Sequence, residues 1–218
     1  MTQTLTPAQA WQGMLDGNRR FVAGELSHPH QDVRRRHEIA AAQRPSAVLF
    51  GCSDSRLSAE IIFDMGLGDL FVVRNAGQVT GESIMGSIEY AVGVLEVPLI
   101  VVLGHDECGA VLAAINSLEP DAPLLPPAIW RQISPIVPSV QRAKRELTEE
   151  GSPEELSPWR VGQLHLRETV TNVLHSSELI SDAIASGRVG IVGANYRLAE
   201  GTVVPDVAIG VGEDAPKS

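Results

Sequence analysis

The chain has 218 residues, 44% hydrophobic and 20% charged, an ordinary globular balance that suits one domain around a sizeable core. Seventeen basic against twenty-seven acidic residues leave a formal charge of −10, which argues against a phosphate-neutralising face and so against a nucleic-acid partner. The longest apolar runs, such as Val97 to Leu103, are far too short to span a membrane. Met1-Thr2-Gln3-Thr4 shows no basic region leading into an apolar one, so a cytoplasmic protein without membrane association is expected.

Thr6-Pro7 reads as a helix N-cap followed by proline at the first helical position. Trp11, Met14, Leu15, Phe21 and Val22 recur at helical spacing, which predicts an amphipathic helix to about Ala23. His28-Pro29-His30 breaks it. A second, more polar helix, with Arg34-Arg35-Arg36 as a solvated face, is expected from Asp32 to Gln43 and ends at Arg44-Pro45.

Alternation then begins. Strands are predicted at Ala47 to Gly51, Leu70 to Arg74 and Leu99 to Gly104, all short β-branched or apolar runs. Helices are predicted between and after them, at Ser58 to Met65, Glu82 to Leu95 and Cys108 to Leu118. Four prolines in the nine residues 119–127 make a loop. The helical segments that follow should break near Pro135, Pro138 and Gly151-Ser152-Pro153. Trp159 to Ala185 reads as mainly helical, Val189 to Tyr196 as a fourth strand, and Thr202 to Val204 as an edge strand. The fold class expected is α/β, a mainly parallel central sheet of four to five strands flanked by helices, with an N-terminal helical arm.

In such sheets ligands gather beyond the carboxyl ends of the strands, where strand order reverses. The two cysteines stand there, in Cys52-Ser53-Asp54-Ser55-Arg56 and His105-Asp106-Glu107-Cys108-Gly109. If the first and third strands are neighbours, Cys52, His105 and Cys108 converge. Two thiolates and one imidazole suit zinc, and three protein ligands rather than four suit a catalytic site with an open position. A Cys52–His105 nucleophile pair, a disulfide and unconnected core cysteines are the rival readings. The first leaves Cys108 unexplained. The other histidines, His28, His30, His37, His165 and His175, have no motif that places them near the cluster.

The two motifs together resemble the β-class carbonic anhydrases. The likeness also covers Glu60 to Asp64, Phe71 to Gly77, Ser87 to Val92 and Val101 to Gly104, and runs from about Trp11 to Leu118 and again from Val189 to Val204. Residues 119–160 match poorly. The resemblance implies one zinc ion per chain on Cys52, His105 and Cys108, and a catalytic dyad of Asp54 and Arg56. It implies an amide from Gln43 of a neighbouring subunit, a pocket lined by Phe71, Ala76 and Tyr90, and a Gly109 backbone N–H facing substrate. Ala76 stands where valine is common. Leu49 stands where some bacterial members carry a tryptophan that serves a second, non-catalytic bicarbonate site.

The expected activity is reversible hydration of carbon dioxide to bicarbonate. Hydrolysis of carbonyl sulfide or carbon disulfide on the same scaffold, or non-catalytic bicarbonate binding, are the alternatives. Asp54 either orients the attacking oxygen or replaces it as fourth ligand, and the motif fits both. A homodimer or tetramer is expected. The whole of 1–218 reads as a single domain, with 1–44 as the helical arm, 45–118 as the metal-site core and 119–218 as a helical segment with the C-terminal strands.

Overall fold

The computed structural model describes residues 5–149 and 156–212. Met1-Thr2-Gln3-Thr4 and the break expected at Gly151-Ser152-Pro153 lie outside them. Five strands form one sheet: β1 (Ala47–Cys52), β2 (Leu70–Asn75), β3 (Leu99–His105), β4 (Gly190–Tyr196) and β5 (Val203–Ile209). Their order is β2-β1-β3-β4-β5, parallel except for β5, which runs antiparallel to β4. The chain steps from β1 outward to β2 and then back across to β3, so the order reverses at the β1/β3 junction.

Every residue of β1, β3 and β4 is buried, as a sheet covered on both faces requires. Side chains of β3 alternate between two cores, Leu99, Val101 and Leu103 on one face, Ile100 and Val102 on the other. The first face is covered by α1 (Pro7–Ala23), α3 (Ala59–Ile62), α5 (Gly109–Asn116) and α7 (Val137–Glu149). The second is covered by α4 (Glu82–Gly93), α8 (Pro158–His175) and α9 (Glu178–Ala185).

Helix α1 starts as its sequence dictates. The Thr6 hydroxyl accepts from the Gln9 N–H at 3.2 Å and the Gln9 side chain accepts from the Thr6 N–H at 2.9 Å, a reciprocal capping box. On its apolar stripe, Trp11 and Met14 are buried in the chain's own core, 2% and 0% exposed, while Val22 stays 46% exposed.

Three elements depart from expectation. Helix α2 is only Val33–Glu38 and stops at Ile39, because Arg35 is drawn to the Leu67 carbonyl and the Asp69 carboxylate, turning the chain toward β1. Pro138 does not interrupt α7, since it occupies the helix's first turn, where no intrahelical N–H is lost. A short 3₁₀ helix (Ser134–Ile136) and α6 (Pro127–Ile133) precede it. Strand β5 runs to Ile209 through Pro205, which an edge strand tolerates on its unpaired side. No helix among the described residues is long and apolar enough to cross a membrane.

Candidate metal centre

Cys52 is the last residue of β1 and His105 the last of β3, the two strands that meet where the order reverses. Cys108 caps the N-terminus of α5, so the turn His105–Cys108 swings its sulfur back toward the same strand ends. Donor atoms of Cys52, His105 and Cys108 lie within 4.8 Å of one another, and all three residues are buried.

The imidazole is oriented for a cation. His105 Nδ1 sits 2.7 Å from the Asp106 carbonyl oxygen. A carbonyl only accepts, so Nδ1 carries the proton and Nε2 keeps its lone pair. That Nε2 is buried without a hydrogen-bond partner. An orphaned imidazole lone pair beside two sulfurs is the donor set zinc takes.

The sulfurs agree. The Cys52 thiol is pushed well below its ordinary value, first by the hydrogen bond from Cys108, against burial, then by His105 and the Gly77 and Asp54 amides. Cys108 is pushed up, first by that same bond to Cys52 and then by burial. With a soft dication in place of the proton between them, Cys52 and Cys108 would both hold it as thiolates.

Asp54 and Arg56 close over this cluster. Arg56 Nε and Nη2 grip the two Asp54 oxygens at 2.9 and 2.7 Å, and the Arg56 backbone N–H donates to Oδ1 at 3.0 Å. Another Nη2 proton reaches the Glu107 carbonyl at 3.1 Å, so one guanidinium ties the Cys52 loop to the His105–Cys108 turn. The Arg56 hydrogen bond outweighs burial and holds the Asp54 carboxyl well below the usual carboxylate range. Of the two arrangements the motif allows, the carboxylate is found on the arginine.

The remaining expected residues are placed more loosely. Phe71 on β2 is half-buried and Tyr90 on α4 exposed, with ring centroids 6.1 Å apart. Ala76 and Gly109 are exposed, Gly109 as the first residue of α5. Gln43 is exposed ahead of β1, and its side chain makes no hydrogen bond among the described residues. Leu49 is 2% exposed and belongs to the hydrophobic core.

Sequence reasoning missed a second layer. Arg74 Nε donates to the Cys52 carbonyl at 2.9 Å and Nη2 to the Asp54 carbonyl at 2.7 Å, bracing the loop from β2. The Gly77 N–H donates to Cys52 Sγ at 3.3 Å. Gly77 has φ +81°, and a Cβ there would stand 2.8 Å from the Ala110 Cβ, so no other residue fits without displacement. His165, buried on α8, donates from Nε2 to the Gly77 carbonyl at 2.7 Å, and burial keeps its ring neutral by lowering its pKa.

The family described as carbonic anhydrase matches residues 47–203. The chain belongs to the β-carbonic anhydrase family. It is 47% identical over 209 residues to carbonic anhydrase 2 of Mycobacterium tuberculosis, covering 95% of this chain and 97% of that one. It is 46% identical over 198 residues to a carbonic anhydrase of Mycolicibacterium smegmatis, covering 90% and 92%. Among solved structures it is similar to tetrameric β-carbonic anhydrases of Sordaria macrospora, with TM-score 0.71, 25% identity and 91% and 98% of the two chains covered. A Coccomyxa β-carbonic anhydrase in complex with acetazolamide gives TM-score 0.70 at 26% identity, covering 92% and 88%. The family match spans both motifs and stops six residues short of the end of β5.

Proposed function

We propose that this β-carbonic anhydrase catalyses the reversible hydration of carbon dioxide to bicarbonate and a proton, with one zinc ion per chain held by Cys52, His105 Nε2 and Cys108. The observation that carries this reading is the convergence of three buried soft donors beside a carboxylate kept ionised by Arg56. Zinc bound there supplies a Lewis acid that makes water a competent nucleophile near neutral pH.

The chain's own residues do the rest. Ionised Asp54 can only accept, so it takes a hydrogen bond from the entering water and turns that oxygen's lone pair toward carbon. Arg56 keeps the carboxylate in this post and away from the metal. Carbon dioxide is apolar and bicarbonate anionic, so a pocket needs apolar walls with a few donors. Phe71, Ala76 and Tyr90 are the walls. The Gly109 backbone N–H and the Gln43 amide, the latter from a neighbouring subunit, are the donors. The assembly that delivers Gln43 is a homodimer or tetramer.

The test is stopped-flow carbon dioxide hydration on zinc-loaded protein, beside carbonyl sulfide. Catalysed hydration is expected from the wild type, and loss of both zinc and activity from Cys108→Ala. Folded, zinc-loaded protein that leaves hydration at the uncatalysed rate would overturn the proposal, as would Cys108→Ala holding zinc as tightly as the wild type.

A further inference from the structure

The Ala76–Gly77 peptide faces Cys52 with its N–H and is held from the other side. The Gly77 N–H donates to Cys52 Sγ at 3.3 Å. The carbonyl of the same peptide unit, Ala76 O, accepts from Gln132 Nε2 at 2.8 Å. No peptide bond among the described residues is cis, so the C=O and N–H of this unit point in opposite directions. Gln132, the peptide and the sulfur therefore form one continuous hydrogen-bonded line. A donor on the carbonyl polarises the amide and strengthens its N–H toward the next acceptor.

The loop around this peptide is over-determined. Asn75 closes it at both ends, its Nδ2 donating to the Val79 carbonyl at 2.7 Å and its Oδ1 accepting the Val79 N–H at 2.9 Å. The next carbonyl, Gly77 O, is fixed by His165 Nε2 at 2.7 Å. Gly77 and Gln78 both have positive φ, +81° and +40°, a conformation that for Gln78 is held only by such surroundings. The two clamps come from α6 and α8, elements that belong to neither metal-ligand motif.

We infer that Gln132 and His165 are positioning residues for the metal centre: they aim and polarise the Gly77 amide so that it withdraws electron density from the Cys52 sulfur. This deepens the proposed zinc chemistry and rests on Cys52 being a ligand. Two thiolates donate much charge to a bound dication, and a hydrogen bond to one of them lessens that donation. Gln132 tunes the strength of this bond through the peptide. His165, neutral and buried, fixes its direction.

The tests use metal-substituted protein. In the ¹¹³Cd-loaded wild type, the Gly77 amide proton should show scalar coupling to cadmium through the N–H···S bond. In the cobalt-loaded protein, Gln132→Glu keeps the side-chain size but replaces the donor with an acceptor. The sulfur-to-cobalt charge-transfer band should then move to longer wavelength, because a less stabilised sulfur is easier to oxidise. Gln132→Arg, which still carries a donor, should bring the band back toward the wild-type position. Gln132 is half-buried on α6, so these variants test the line without opening the core. Absence of the cadmium coupling, or folded Gln132→Glu with an unmoved band, overturns the inference. If the wild type binds neither cobalt nor cadmium through Cys52, the zinc reading itself has failed, a distinct result.

Discussion

Asp54 and Arg56 show how little chain is needed to set up a reactive carboxylate. They are two residues apart, yet the guanidinium supplies two parallel bonds to Asp54 and a third to the Glu107 carbonyl. Asp54→Asn keeps the volume but loses the ionised acceptor. Hydration should fall about 10²-fold or more while the zinc content measured by metal analysis is unchanged. Arg56→Ala should also keep zinc but lose about 10–100-fold, as removal of a supporting partner around a metal site typically does. Wild-type turnover in either variant would remove the orienting role from Asp54. The motifs make this part of the site readable from sequence, because thiolates, imidazole and an acid–base pair are scarce residue types with few other reasons to cluster. Gln132 and His165 offered no such signal. Each acts through a backbone carbonyl, and a glutamine or histidine on a helix looks the same whether it points to solvent or to a loop.

At the scale of elements, α1 and the segment after it are held to the core by buried polar groups as well as by Trp11 and Met14. Asn18 on α1, 5% exposed, donates to the carbonyls of Ile62 and Gly201 at 3.1 and 2.8 Å and accepts the Val203 N–H at 2.9 Å. Asn18→Leu leaves these backbone groups unsatisfied and should lower unfolding stability by ~2–4 kcal/mol, read from urea titration. Asp64, 3% exposed, is the second fastening. Burial pulls its carboxyl upward, but the Ser27 N–H, the Arg20 guanidinium, the Ser27 hydroxyl and the His28 N–H together outweigh it and hold it well below the usual range. A carboxylate depressed in the folded state binds fewer protons there than when unfolded. Its stabilisation is therefore fully present above about pH 4 and is lost as pH falls toward the folded value. Asp64→Asn should be less stable than the wild type near neutral pH, with the gap in urea midpoints closing as pH drops below about 4. A gap that stays constant across that range would deny Asp64 this part. Elements with a repeating apolar pattern, β1, β3 and α4 above all, were legible because packing and pattern agree. The end of α2 was not, since Arg35 reaches a carbonyl thirty-two residues away, and neither was β5, whose Pro205 reads locally as a break.

At the scale of the whole molecule, one side of the sheet is unfinished within a single chain. Strand β2 lies at one edge, and Leu70, Phe71 and Val72 are only half-buried while the central strands are fully covered. An edge this apolar invites pairing or covering. Beside it, α4 exposes Tyr90 and its C-cap residue Val94, 46% and 62%, four residues apart and so on one helical face. Tyr90 stacks toward Phe71, so the exposed face of α4 and the β2 edge form one surface. In the proposed assembly, the β2 edge and the exposed face of α4, which carry the proposed pocket walls Phe71 and Tyr90, are the surface a second copy would cover. Val94→Asp puts a charge into that contact without touching the metal donors. Sedimentation should show the assembly breaking toward monomer, and hydration should fall with it because Gln43 no longer reaches the neighbouring pocket, while zinc stays bound. Gln43→Ala should lower activity with the assembly intact, separating loss of the amide from loss of the interface. A wild type that sediments as a fully active monomer, or a monomeric Val94→Asp with undiminished hydration, would show that each chain completes its own site.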